Sequence, residues 1–209
     1  GFFISDAENI SGTMEMFGVP VMDFDEGLRR GAIRFIGEDC LDAYLDAVGA
    51  QRLYRGEMPD LKLVYTPLNG AGRECVTRIL GQIGIRDVTI VPQQAQPDGR
   101  FPTCPYPNPE IREALSLGLK LSQRLRADLL LGTDPDCDRM GAAVPDGDGY
   151  RLISGNEMGV LLLDYLCRAR AARGEDLADK VAVTTIVSTA LVDALAADHG
   201  IQLRRVLTG

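Results

Sequence analysis

The sequence predicts an α/β fold: a mixed, mainly parallel sheet with helices on both faces, followed by an incomplete second α/β unit. Three observations carry this. The runs "LKLVYT", "VTIVP" and "ADLLLG" are short, apolar and bounded by turn residues, and the triple leucine of the last suits a parallel strand covered on both faces. Between them lie segments with apolar residues at helical spacing. The resulting order, strand–helix–strand–helix–strand, calls for right-handed crossovers that lay helices on a sheet.

Taken in order, residues 1–39 are weakly patterned and look like the tail of something earlier. The segment "EDCLDAYLDAV" then reads as a helix, and "LKLVYT" (61–66) as the first strand of a unit spanning 40–150. After "PLNGAG", Val76, Ile79, Leu80 and Ile83 fall at i, i+3, i+4 and i+7, one face of a helix. "VTIVP" (88–92) is the second strand, followed by a Pro-rich loop. Asn108 is placed to cap a helix with Pro109 at its first position, where a missing N–H costs nothing. Ile111, Ala114, Leu115, Gly118, Leu121 and Leu125 form the buried stripe of that predicted helix. "MGAAV" and "YRLIS" flank "PDGDG", an antiparallel hairpin.

A second unit, 151–209, opens on Ser154 and Glu157 at capping-box spacing, ahead of the helix "MGVLLLDYLCRARAA". The strand "VAVTTIV", a helix from Ser188, a Gly200 stop and the strand "LRRVL" follow. One strand–helix–strand cannot cover a sheet on both faces, so this unit reads as truncated.

Composition narrows the function classes. The chain has 209 residues, 45% hydrophobic and 25% charged, with a net charge of −8 and no basic run. Nucleic acid and anionic membranes need clustered Lys and Arg, so neither is an expected partner. No stretch is long and apolar enough to span a membrane, and the first residues lack the pattern of a signal peptide. Five scattered cysteines with no C-x-x-C support neither a disulfide framework nor a zinc site, and point to a reducing cytoplasm. The single histidine, His199, ends an apparent helix and suits its negative pole better than a catalytic role.

The chemistry concentrates in "GTDPDCDRMG". Asp134, Asp136 and Asp138 follow the carboxyl end of a predicted parallel strand, where open α/β sheets bind ligands. Alternate side chains in an extended loop point to one side, so the three carboxylates can converge. Converging carboxylates repel unless a cation sits between them, and an all-oxygen set suits Mg²⁺. The plainer reading is an acidic, solvated turn. An EF-hand is excluded, because its sixth and twelfth positions would be Arg139 and Pro145. A haloacid-dehalogenase-like phosphatase with Asp134 as nucleophile is an alternative, although its fifth motif position is usually Thr or Val and here is Asp138. Arg139 can hold two phosphoryl oxygens at once, or merely neutralise the aspartates. The glycines of "PLNGAG" suit a phosphate site at a helix N-terminus, but a tight turn is the favoured reading.

These motifs resemble those of the α-D-phosphohexomutases, the phosphoglucomutase/phosphomannomutase family. "DPDCDR" is similar to the family's D-P-D-[AGS]-D-R metal loop, with Cys137 in the place of a small residue. "VYTPLNGAG", "PDGRFP" with "PNPE", "SGNEMGVLLLDYL" and "VTTIVST…VLTG" occur in the family's order, so the resemblance covers about residues 20–209. It implies that 1–39 are the tail of a first domain plus a linker, 40–150 the metal-binding second domain, and 151–209 part of the third. It further implies that Asp134, Asp136 and Asp138 coordinate Mg²⁺, and that Arg139 steadies a phosphoryl group. That group would pass between the 1 and 6 positions of a hexose phosphate, through a hexose bisphosphate and a phosphoserine. Thr208 and Gly209 would open a sugar-contacting turn. No "TASHNP"-like serine loop and no "GEESGH"-like sugar loop are present, and Ser5, Ser11, Ser116, Ser122, Ser154 and Ser188 lack the serine loop's flanks. These residues alone are therefore expected to be inactive, and a non-catalytic, metal-stabilised interaction domain is a further alternative. Self-association through uncovered apolar surface is also expected.

Overall fold

In a computed structural model that describes residues 21–208, a five-stranded sheet has the order β2-β1-β3-β4-β5. Strands β1 (Lys62–Thr66), β2 (Asp87–Ile90) and β3 (Leu129–Thr133) are mutually parallel. The hairpin of β4 (Met140–Asp146) and β5 (Gly149–Ile153) adds antiparallel to β3. The sheet is therefore mixed, with three parallel strands on one side and an antiparallel hairpin on the other. Gly147, at φ 55°, turns the hairpin in two residues, since Asp146 pairs with Gly149.

Alternation along β1 divides the core. Leu63 and Tyr65 face helix α3 (Arg73–Gln82), which contributes Val76 and Leu80 to one apolar cluster. Val64 faces the other way, into a cluster with Leu115, Leu119, Leu121 and Leu130 around helix α4 (Ser116–Leu125). Helices thus cover both faces, and that is why β1 and the leucines of β3 carry apolar side chains on both sides.

Two segments precede the sheet: a short helix α1 (Phe24–Arg29), capped by Asp23, and helix α2 (Glu38–Ala50). The residues 24–29 form regular structure inside the stretch read as weakly patterned. After β5, helix α5 (Gly155–Ala171) carries the capping box: Ser154 Oγ accepts from the Glu157 backbone N–H at 3.2 Å, and Glu157 accepts from Ser154 N at 2.8 Å. Strand β6 (Val181–Thr185), helix α6 (Leu191–His199) and strand β7 (Gln202–Val206) form a separate two-stranded parallel sheet. Gly200 ends α6 in the left-handed conformation, at φ 69°. His199 does sit at that helix end, where its Nε2 lies 2.9 Å from Asp164 on α5 and ties the two helices together.

One helix departs from expectation. Asn108 Oδ1 does accept from the Glu110 N–H at 2.9 Å, but residues 109–115 form successive turns and α4 begins only at Ser116. Packing against the sheet overrides the local signal. The Pro109 backbone lies directly on Gly141 of β4, and a Cβ at Gly132 of β3 would meet Leu115. A chain so closely seated follows the strands rather than a helical path.

Candidate metal and phosphoryl site

The site lies where the parallel strands end. Thr66 of β1 leads into Pro67–Gly72, and Thr133 of β3 leads into Asp134–Arg139, so both loops emerge on the carboxyl edge of the sheet. The aspartate loop begins with a turn in which Cys137 N donates to Asp134 O at 3.0 Å. Pro135 occupies the turn position that favours its fixed φ. Cys137 follows in the left-handed region, at φ 62°.

Asp134 holds the loop shut. Its carboxylate is fully buried; Oδ1 accepts from the Arg139 backbone N–H and Oδ2 from Arg139 Nε, each at 2.9 Å. Burial opposes ionisation of Asp134, but Arg139, through its N–H and guanidinium, outweighs it and keeps the carboxyl below the ordinary carboxylate range. Asp138 moves the opposite way: its hydrogen bond with Asp134, then burial and the neighbouring negative charges, raise it. The hydrogen bond that Arg139 donates to Asp134, together with the surrounding aspartates, reinforces the positive charge on Arg139.

The second loop forms a cradle for the first. Ala71 N donates to Pro135 O at 2.8 Å. A Cβ at Gly70 would run into the Pro135 backbone, and one at Gly72 would lie 2.7 Å from Cys137 Sγ, 2.8 Å from Tyr65 Oη and 2.9 Å from Thr133 Oγ1. Leu68 and Asn69 take left-handed conformations, at φ 48° and 58°, to make the turn. Asn69 Nδ2 donates to Gln96 O at 2.8 Å, and buried Gln94 accepts from Thr66 Oγ1 at 2.7 Å. Beneath the aspartates, Tyr65 Oη and Thr133 Oγ1 are 2.9 Å apart. Burial pushes the Tyr65 phenol up to about 12, so it serves as a neutral hydrogen-bonding group.

The three aspartates each offer an oxygen within 4.8 Å of the others, and among the described residues they form the acidic group able to hold a metal ion. Asp136 and Asp138 are exposed while Asp134 anchors them from below. Adjacent oxygens around Mg²⁺ lie roughly 3 Å apart, given bonds of about 2.1 Å, so a modest closure would complete the set. A donor set made only of carboxylate oxygen fits a hard divalent cation. With both oxygens engaged by Arg139 and no exposure, Asp134 is an anchor and is poorly placed as an attacking nucleophile.

The "PLNGAG" turn therefore does what the favoured reading gave it, and more: its glycines admit the aspartate loop. The contributions of Gly70, Gly72, Asn69, Gln94, Tyr65 and Thr133 were not read from sequence. Only the glycines left a signal, as a cluster after a strand. Thr208 is exposed, two residues beyond β7, and Gly209 lies outside the described residues.

Fold and site together define an open α/β domain with a carboxylate cluster and a guanidinium at its sheet edge. The comparisons with known proteins give that class a family. Residues 42–148 match the family described as phosphoglucomutase/phosphomannomutase, alpha/beta/alpha domain II. The chain belongs to the phosphoglucomutase/phosphomannomutase family. It is 36% identical over 151 residues to a phosphoglucomutase of Staphylococcus epidermidis, covering 72% of this chain and 27% of that protein. It is 30% identical over 188 residues to a phosphoglucomutase of Staphylococcus saprophyticus, covering 90% of this chain and 33% of the relative. The chain thus spans about a third or less of the length of these relatives.

Solved structures share the fold. A phosphoglucomutase/phosphomannomutase family protein from Burkholderia thailandensis superposes with a TM-score of 0.65 at 20% identity, over 81% of this chain and 33% of that one. An Aspergillus fumigatus N-acetylphosphoglucosamine mutase, in complex with glucose 1,6-bisphosphate, superposes with a TM-score of 0.54 at 18% identity, over 79% of this chain and 32% of that one.

Proposed function

We propose that this chain is the metal-binding part of a Mg²⁺-dependent phosphosugar mutase. The enzyme would move a phosphoryl group between the 1 and 6 positions of a hexose phosphate through a hexose bisphosphate. The observation that carries the reading is the aspartate cluster with Arg139 at the carboxyl edge of a family domain II. A phosphoserine outside these 209 residues would donate the group. Residues 40–150 then act as the second domain, 1–39 as the end of the first with its linker, and 151–209 as part of the third.

Each residue has a physical task. Asp134, Asp136 and Asp138 would hold Mg²⁺, which when bound supplies positive charge to the phosphoryl oxygens. Asp134 also fixes Arg139 through Nε. Among the described residues neither terminal guanidinium nitrogen of Arg139 has a hydrogen-bond partner, which frees a two-pronged donor for phosphoryl oxygens. Phosphoryl transfer spreads negative charge over those oxygens, so fixed cationic donors accelerate it with little covalent work by the protein. Exposed Thr208 and the adjacent Gly209 would meet the sugar. Five free cysteines fit a cytoplasmic setting.

Phosphorus NMR of the full-length protein with glucose 1-phosphate or mannose 1-phosphate, Mg²⁺ and a trace of the hexose bisphosphate tests this. Interconversion of the 1- and 6-phosphates is expected, and Arg139→Ala should slow it about 10²-fold or more. Release of inorganic phosphate without isomerisation would overturn the reading.

A further inference from the structure

The loop that carries the aspartates hangs from a closed base. Thr133, the last residue of β3, pairs with Met140, the first of β4, so residues 134–139 span two paired positions. Tyr65 fixes that base on the sheet. It pairs with Leu131 across β1 and β3 and packs in the same apolar cluster. Side chains two residues apart on a strand share a face, so the ring lies on the face that Thr133 presents. The two hydroxyls meet at 2.9 Å, Tyr65 is fully buried and Thr133 nearly so. Among the described residues, each of these hydroxyls is hydrogen-bonded only to the other. Cys137 closes the cluster from above: its Sγ, Tyr65 Oη and Thr133 Oγ1 stand 2.7, 2.8 and 2.9 Å from one point, the place a Gly72 Cβ would take. The phenol therefore underlies the whole carboxylate run, because Thr133 precedes Asp134 and Cys137 separates Asp136 from Asp138. Arg139 fixes Asp134, whereas the exposed Asp136 depends for its position on the course of the loop.

We propose that Tyr65 is a positioning residue of the cation site: its hydroxyl, acting through Thr133 and beneath Cys137, holds the aspartate loop in the arrangement a divalent cation needs. Tyr65 itself touches neither cation nor substrate. Without its hydroxyl, Thr133 keeps a buried polar group that has lost its partner, and the base of the loop is no longer pinned to β1. The loop then spends less time with its carboxylates converged, and apparent affinity falls in proportion to that fraction. The proposal rests on the cation reading of the aspartates.

The test is Mn²⁺ binding, read by electron paramagnetic resonance, to the full-length protein and its Tyr65→Phe, Thr133→Val and Thr133→Ser variants. Tyr65→Phe and Thr133→Val should each weaken Mn²⁺ binding about tenfold, as expected of groups that orient metal ligands. The double variant Tyr65→Phe/Thr133→Val should be no weaker than either single one, since each removes the same interaction. Thr133→Ser keeps the hydroxyl and loses only the methyl, so it should bind as the native protein does. Native affinity in Tyr65→Phe, additive losses in the double variant, or a loss in Thr133→Ser equal to that in Thr133→Val would each overturn the proposal. If Tyr65→Phe does not fold, the contrast between Thr133→Val and Thr133→Ser decides. A native protein that binds no Mn²⁺ would overturn the cation reading and this proposal with it, whereas equal binding by native protein and Tyr65→Phe would overturn the positioning role alone.

Discussion

Asp134, Asp136 and Asp138 are equivalent in sequence and unequal in space. Asp134 is fully buried and bonded twice to Arg139, whereas the other two are exposed. Their alternate spacing made the cluster legible, but burial depends on the Pro67–Gly72 loop, which is distant in sequence. Removing the anchor and removing an exposed ligand should therefore differ. Asp134→Ala should cost about 1–3 kcal/mol of stability, because it deprives Arg139 of its hydrogen bonds, as measured by urea denaturation. Gly72→Ala should destabilise by a similar amount, about 1–3 kcal/mol, since three atoms stand within 2.9 Å of the new Cβ. A Gly72→Ala protein with unchanged stability and unchanged cation binding would contradict the close packing of the two loops.

Elements were legible where local and tertiary preferences agree. The strands β1 and β3 and helix α3 follow their apolar patterns, and the Ser154–Glu157 box marks the start of α5. The predicted helix at Pro109 was not, because contact with Gly141 and Gly132 decides the path of residues 109–115. The capping box gives a pH dependence with a definite sign. Hydrogen bonding from the Ser154 backbone, with Arg151 and the Ser154 hydroxyl, holds Glu157 at about 2, below its ordinary 4.5. A carboxyl lowered on folding contributes stability that is present above pH 4.5 and is lost as pH falls through about 2. Amide exchange in the first turn of α5 should accelerate over that window, and Glu157→Gln should remove most of the change. Exchange rates independent of pH there, after correction for intrinsic chemistry, would show that the box contributes nothing.

At the scale of the molecule, the five-stranded sheet is covered on both faces, whereas the β6–β7 pair leaves large apolar side chains in solvent. Val181 is 50% exposed, Val183 66% and Val206 46%. Such surface favours association. The 209 residues by themselves should sediment as a concentration-dependent mixture, and a monomer at all concentrations would argue against that. The strand–helix–strand order of the second unit was legible in the sequence, while its exposed face needed the coordinates.

The account turns on the aspartate loop as a divalent-cation site, and Asp136 isolates that claim because it is exposed and sits outside the Asp134–Arg139 pair. Calorimetric titration of Mg²⁺ into the reduced full-length protein and its Asp136→Asn variant tests it most directly. The prediction is binding to the native protein and a loss of about tenfold or more in affinity for the variant, with stability changed by no more than about 0.5 kcal/mol. Equal Mg²⁺ affinity in the two proteins would contradict it.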